Sequence, residues 1–221
     1  MAMATLEKNY LRVSGKKYFT TNAENVKIGS YGDKRTPIGK PNYMQVWKDM
    51  DVSKLEIEEA TVIDLNTKKS KKRDVEAKVG KKGLAGVGAK NVYDKFASGE
   101  LKLAKLIVRS GDMVDEINSD SKVLEYLQGA GRRARFCAEV FVVITAKMAE
   151  KVENTNSFDV SASKGSVDVE LKGSFSSGHD NTLEISEGTM FAYSLLKPVW
   201  TGRGKKKGNI KRVRPDTYGA A

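Results

Sequence analysis

Cysteine and histidine are almost absent: the 221 residues hold one of each, Cys137 and His179. A single thiol excludes an internal disulfide framework and points to a reducing, cytoplasmic compartment. A single imidazole argues against a histidine-rich metal site and against a Ser/His/Asp relay, and "SSGHDN" around it reads as a polar turn. Cys137 lies in an apolar strand pattern, where a thiol acts as a small inert hydrophobe. No apolar run approaches the roughly 20 residues of a spanning helix. The start, "MAMATLEKNY", lacks the apolar core of a secretion signal. No paired carboxylates stand in a setting that suggests acid–base work. Gly83 and Gly88 have the spacing of a P-loop, but the lysine and hydroxyl residue that must come next are replaced by Ala89-Lys90-Asn91. These shortages leave no catalytic constellation, metal site or cofactor fingerprint, so the expectation is a protein that is not an enzyme and needs no cofactor.

What is abundant is positive charge. The formal net charge is +11, and its placement matters more than its size. "TKKSKKR" (67–73) carries five positive residues and "GRGKKKGNIKRVR" (202–214) seven, which together exceed the net charge of the whole chain. Two concentrated patches suit a polyanionic partner, either anionic lipid or nucleic acid; the plain alternative is a pair of solvated loops. A third group, Arg132, Arg133 and Arg135, reads either as a phosphate holder or as a solvated turn. Nucleic-acid binding wants aromatics interleaved with the cations for stacking. Neither patch has them, with Trp200 and Tyr218 merely flanking the second. A basic nucleic-acid-binding protein without membrane activity stays as the alternative function.

Periodicity supplies the elements. Across "SFDVSASKGSVDVELKGSFSS" (157–177) apolar residues take every second position: Phe158, Val160 and Ala162, then Val167, Val169, Leu171 and Phe175. With Lys164-Gly165 between, this predicts a hairpin with one apolar and one wet face. Residues 74–89 repeat the alternation with Val75, Ala77, Val79, Gly83, Ala85, Val87 and Ala89. "TLEKNYLRV" (5–13) predicts a short helix, capped by Thr5, with Leu6, Tyr10 and Val13 on one stripe. "YGDKRTPIGKP" predicts an exposed loop between two extended pieces of 26–46. Residues 52–66 fit helix or strand. "ELKLAKLIV" (100–108) alternates less cleanly. Residues 119–131 predict a helix with a serine start and a glycine stop. A β-rich apolar strand comes next at 135–148, then two strands around Glu187-Gly188 in 182–196. The sum is an α+β fold: a twisted, mainly antiparallel sheet with a short amino-terminal helix and further helices around it. The expected division is a domain over 1–200 and a flexible basic tail over 201–221.

The order of these stretches resembles the pore-forming amino-terminal domain of gasdermins, from about residue 5 to about residue 200. "KPNYMQVWKDMDVSKL" is similar to the family's second strand and the segment after that strand. "DVEAKVGKKGLAGVGAKNVYDKFASGELKLAKLIV" resembles its first membrane-inserting region, and "FVVITAKMAEKVENTNSFDVSASKGSVDVELKGSF" its second. "DSKVLEYLQGAG" resembles the helix before the central strand, and "TLEISEGTMFAYSLLK" the closing strand pair. The resemblance implies a protein held inactive in the cytoplasm that binds acidic phospholipids such as cardiolipin or phosphoinositides. It then self-associates into a large ring and inserts β-hairpins into plasma or mitochondrial membrane, causing lytic cell death. A barrel must close, because an open edge in hydrocarbon leaves backbone groups unsatisfied. The implied lipid contacts are Lys8, Arg12, Lys16 and Lys17, then Lys34, Arg35 and Lys40 with Tyr31, Pro37 and Ile38 at a loop tip; Arg132, Arg133 and Arg135 join them as phosphate holders. The implied inserting residues are Val75, Ala77, Val79, Ala85 and Val87 with Phe158, Val160, Ala162, Val167, Val169, Leu171 and Phe175. About twenty residues come after Trp200, too few for the repressor domain of mammalian members. The resemblance then implies either a liberated active fragment or a short gasdermin-like protein of bacterial or fungal type, and it is nearest to the short fungal regulators, in which a divergent partner variant acts as trigger.

Overall fold

A computed structural model describes residues 2–79, 89–146, 149–150, 153, 190–202, 208–216 and 218. Among them are ten strands and four α-helices, so the expectation of a mixed α+β chain dominated by an antiparallel sheet holds.

The chain opens with three strands, β1 (Ala2–Leu6), β2 (Tyr10–Val13) and β3 (Lys16–Phe19), joined as a meander. This corrects the amino-terminal helix. Leu6 pairs with Leu11 and Ala4 with Val13, and the Glu7 amide closes the turn on the Tyr10 carbonyl at 2.9 Å. The spacing that imitated a helical stripe is a hairpin folded back on itself: Ala4, Leu6, Leu11 and Val13 are all buried. The next turn is sharper. Ser14 (φ 47°) and Gly15 (φ 80°) both take left-handed backbone between the paired Val13 and Lys16, the two-residue turn whose twist matches that of strands.

β4 (Ser30–Arg35) and β5 (Tyr43–Asp49) flank the expected loop, although the loop begins later than its composition suggests, at Thr36. β6 (Ile57–Leu65) resolves the ambiguous stretch as a strand, and β7 (Leu101–Val108) forms as expected. Between them lie α1 (Lys72–Val79) and α2 (Ala89–Ala97). Residues 72–79 are therefore helical, which corrects the extended reading of Val75, Ala77 and Val79. Residues 80–88, with Ala85 and Val87, lie outside the described residues. Lys, Arg, Glu and Ala favour helix, and α1 buries Val75 fully.

α3 (Ser110–Ser119) was not foreseen; its signal is the spacing of four between Met113 and Ile117, both buried. α4 (Ser121–Ala130) was foreseen. Asp120 rather than Ser119 caps it, accepting the Lys122 and Val123 amides at 2.9 and 3.2 Å, and Gly131 ends it. β8 (Ala134–Thr145) and β9 (Met190–Trp200) are the long central strands. The 157–177 hairpin, with Phe158, Val160, Ala162, Val167, Val169, Leu171 and Phe175, and the first strand of 182–196 lie outside the described residues.

β10 (Ile210–Asp216) corrects the flexible tail. It is an antiparallel neighbour of β9 from Trp200–Ile210 to Leu195–Asp216, so residues 210–216 belong to the same sheet.

The pairings close a ring, β1-β2-β3-β9-β8-β7-β6 and back to β1, antiparallel throughout except for the parallel β6–β1 contact. Each of these seven strands contributes to one buried cluster, which includes Leu6, Leu11, Tyr18, Ile63, Leu103, Phe141 and Phe191; this is the barrel interior. Val75 of α1 and Phe96 of α2 join that cluster, and the Lys72–Asp94 ion pair (3.0 Å) ties the two helices together. β8 and β9 extend beyond the barrel, where β4 and β5 continue the sheet on one side and β10 on the other. A second core lies there, with Met113, Ile117, Val123 and Leu127 of α3 and α4 packed with Tyr31, Phe136, Val140 and Leu195. β8 thus serves two cores, its even-numbered apolar residues and Cys137 in one and Phe141 and Val143 in the other, which is why its sequence is apolar almost without interruption.

Candidate anion-binding site

Three segments far apart in sequence meet where β4 and β10 end and β8 begins. β4 contributes Lys34 and Arg35, the turn before β8 contributes Arg132 and Arg133, β8 itself contributes Arg135, and β10 contributes Asp216. Lys34 Nζ lies 2.8 Å from Asp216 Oδ1, and Arg135 Nε donates to Asp216 Oδ2. All three side chains are 6% exposed. Arg135 Nη1 also donates to the Arg132 and Ala134 carbonyls at 2.9 and 2.7 Å. The Lys34 ammonium stands 5.5 Å from the centre of the Phe19 ring.

Beside this buried trio, Asp33 Oδ2 lies 3.5 Å from both Arg35 and Arg133. Its other oxygen, Oδ1, is buried without a hydrogen-bond partner. Arg35 Nε donates to Gln45 Oε1 at 2.7 Å. Four cations, Lys34, Arg35, Arg133 and Arg135, therefore converge on two carboxylates, and Arg132 and Arg133 are exposed. The excess is positive and local, which suits a phosphate-bearing anion.

The loop between β4 and β5 projects from this cluster. Lys40 donates its amide to the Pro37 carbonyl at 3.3 Å, Gly39 takes φ 70°, and Ile38 at the tip is 101% exposed. Ile38 is a single solvated apolar side chain between Arg35 and Lys40. Tyr31, expected at this tip, is instead buried at the far end of β4.

The amino-terminal cations form an adjoining group. Lys8, in the β1–β2 turn, is exposed. Arg12 Nη2 donates to Tyr10 Oη at 3.0 Å, and this hydrogen bond, with a smaller contribution from Glu7, holds the guanidinium's proton still more firmly than usual. Lys17 stands 4.9 Å from the centre of the Tyr10 ring, and Lys16 is exposed on the same hairpin. Tyr218 stacks on Tyr10 at 5.3 Å and donates its amide to the Lys17 carbonyl at 2.9 Å. The carboxy-terminal segment thus links the two cationic groups. Asn118 holds the other end of β10, exchanging hydrogen bonds of 3.0 and 2.8 Å with Ile210.

Of the expected contacts, Lys8, Arg12, Lys16, Lys40, Arg132 and Arg133 lie on the surface, Lys17 and Arg35 are half-buried, and Lys34 and Arg135 are neutralised inside. The residues that sequence reasoning missed are Asp33, Asp216 and Tyr218. One signal was available for Asp216, which is the sole acidic residue between 202 and 218.

The fold and site together define an α+β protein with a closed barrel and a compact cationic cluster at one end of its sheet extension. No family model, no curated protein and no solved structure matches the chain. Among the described residues no helix is long and apolar enough to cross a membrane, which says nothing of strands.

Proposed function

We propose that this chain is a pore-forming protein of the gasdermin kind that attaches to acidic phospholipid through the cationic cluster and the Ile38 tip, then self-associates and inserts strands. The observation that carries this reading is the junction of Lys34, Arg35, Arg132, Arg133 and Arg135 beneath a loop that offers a bare isoleucine. Each cation near an anionic surface contributes about 1 kcal/mol to attachment, and the tip adds an apolar anchor. In the closed form Asp216 occupies the ground a lipid phosphate would take between Lys34 and Arg135. Displacement of β10 would free both. The inserting segments would come from 75–87 and 158–175. Leaving the barrel end costs α1 the burial of Val75, and closure of a new ring among copies recovers backbone pairing in the bilayer.

The test is dye release and co-sedimentation with vesicles containing cardiolipin or a phosphoinositide, against neutral vesicles. The wild-type chain, alone or mixed with a divergent variant, is expected to bind and permeabilise acidic vesicles alone. Ile38→Asp with Lys40→Glu and Arg132→Glu, all at exposed positions, is expected to weaken binding more than tenfold. Val169→Asp is expected to keep binding and lose leakage. Intact acidic vesicles at every dose, or RNA binding with no vesicle binding, overturns the proposal.

A further inference from the structure

At the other end of the β4–β5 hairpin, β5 and α4 enclose an open cleft of about 750 Å³, within the range of small-ligand sites. Its floor is aromatic. The rings of Tyr31 and Tyr126 lie 6.2 Å apart, and Trp47 lies 6.0 Å from Tyr126. Its rim is acidic: Asp49, Asp51, Asp120 and Glu125 outnumber Lys48 and Lys122, on a chain whose net charge is +11. Rings and carboxylates together select a cation, since an aromatic face attracts positive charge. One ammonium already shows the attraction, with Lys48 Nζ 5.2 Å from the centre of Tyr126. Burial pushes the Tyr31 hydroxyl above its ordinary range, and Asp120, Tyr126 and Asp49 push it the same way, as a negative local field does.

The acceptors decide which cation. Asp49 takes the Ser30 hydroxyl at 2.5 Å and the Lys27 ammonium at 3.1 Å. Asp120 takes two amides of α4, and Asp51 takes the Ser53 amide at 2.9 Å. Each of the three thus already holds at least one donor of the protein itself, and Asp49 and Asp120 hold two each. A primary ammonium brings three N–H groups that each want an acceptor. A quaternary ammonium brings charge and methyl groups and no donor, and methyl groups suit a floor of rings.

We infer that this cleft binds a quaternary ammonium group of the choline type, carried either by a free solute or by a phosphocholine headgroup. It is a second site, opposite in sign to the cationic cluster and independent of it.

The full chain is titrated at constant ionic strength with choline, tetramethylammonium and ammonium chlorides, monitored by the Trp47 indole N–H resonance, which Trp47→Phe assigns. Saturable shifts are expected with the first two and at least tenfold weaker binding of ammonium. Tyr126→Leu is expected to weaken choline binding about tenfold. Lys48→Ala removes the resident ammonium and is expected to tighten it. Both side chains are exposed, and circular dichroism checks the fold of each variant. Absence of saturation, equal response to ammonium, or an affinity that neither variant changes overturns the site. Phosphatidylcholine vesicles separate the sources. Capture that Tyr126→Leu abolishes assigns the headgroup, and choline binding without capture assigns the solute. These vesicles carry no net charge, so failure here is distinct from failure of the acidic-lipid proposal.

Discussion

Asp216 is the side chain on which the cationic cluster turns. It neutralises Lys34 and Arg135 where all three are 6% exposed. Replacing a buried carboxylate between two cations leaves uncompensated charge, at a cost of roughly 3–5 kcal/mol. Asp216→Asn is therefore expected to lower the stability read from urea unfolding by that amount. The same change is expected to raise attachment to acidic vesicles, because Lys34 and Arg135 lose their internal anion. Lower stability with unchanged attachment would separate the buried trio from lipid binding. The sequence showed this cluster in pieces. Lys34, Arg35, Arg132, Arg133 and Arg135 were each visible as cations, and Asp216 as the lone acid of a basic stretch. Nothing in their order said that β10 would carry Asp216 across 182 residues to Lys34.

Among the elements, the β4–β5 hairpin depends on a close approach that composition does not announce. A Cβ on Gly32 would overlap the backbone carbonyl of Gln45, at the point where the register shifts between Tyr31 and Gly32. Gly32→Ala is expected to cost about 1–3 kcal/mol through forced displacement of β5, read as a drop in melting temperature. An unchanged melting temperature would mean that β5 yields freely. Elsewhere, local periodicity decided well where one face alone was buried: α4 was legible for that reason. It failed where a turn folded a segment onto itself. Residues 5–13 carry apolar positions at helical spacing, yet Leu6 and Leu11 face each other across a hairpin. It failed also at α1, where alternating small residues fit helix and strand equally and the barrel end, by accepting Val75, settles the matter.

For the molecule as a whole, closure into a seven-stranded ring fills its interior with Leu6, Leu11, Leu103, Phe141 and Phe191. Such a barrel is a packed core rather than a channel, so a pore would have to be built from other segments and other copies. The second core carries a consequence for pH. Burial pushes the Cys137 thiol and the Tyr193 hydroxyl well above their ordinary values, and Tyr193 Oη also bridges the Met44 amide and the Thr21 carbonyl, both at 2.9 Å. A raised folded value means that both groups keep their protons in the fold. Their full contribution is present below the unfolded thiol and phenol values, about 8.5 and about 10, and is lost as the pH rises above them. Urea midpoints are expected to be level from pH 6 to 8 and to fall from pH 9 upward, with Cys137→Ala removing the first part of the fall. A midpoint level to pH 11 would show that neither group is held. By itself, the sequence determined the α+β class, the central apolar strand, the capped helix α4 and the excess of cations, because hydrophobic period and charge are local properties. The tertiary structure alone decided that the barrel closes, that the carboxy-terminal stretch becomes a strand, and that acids and cations remote in sequence neutralise one another. Those outcomes depend on which strand edges and side chains meet in space, and chain order does not encode that meeting.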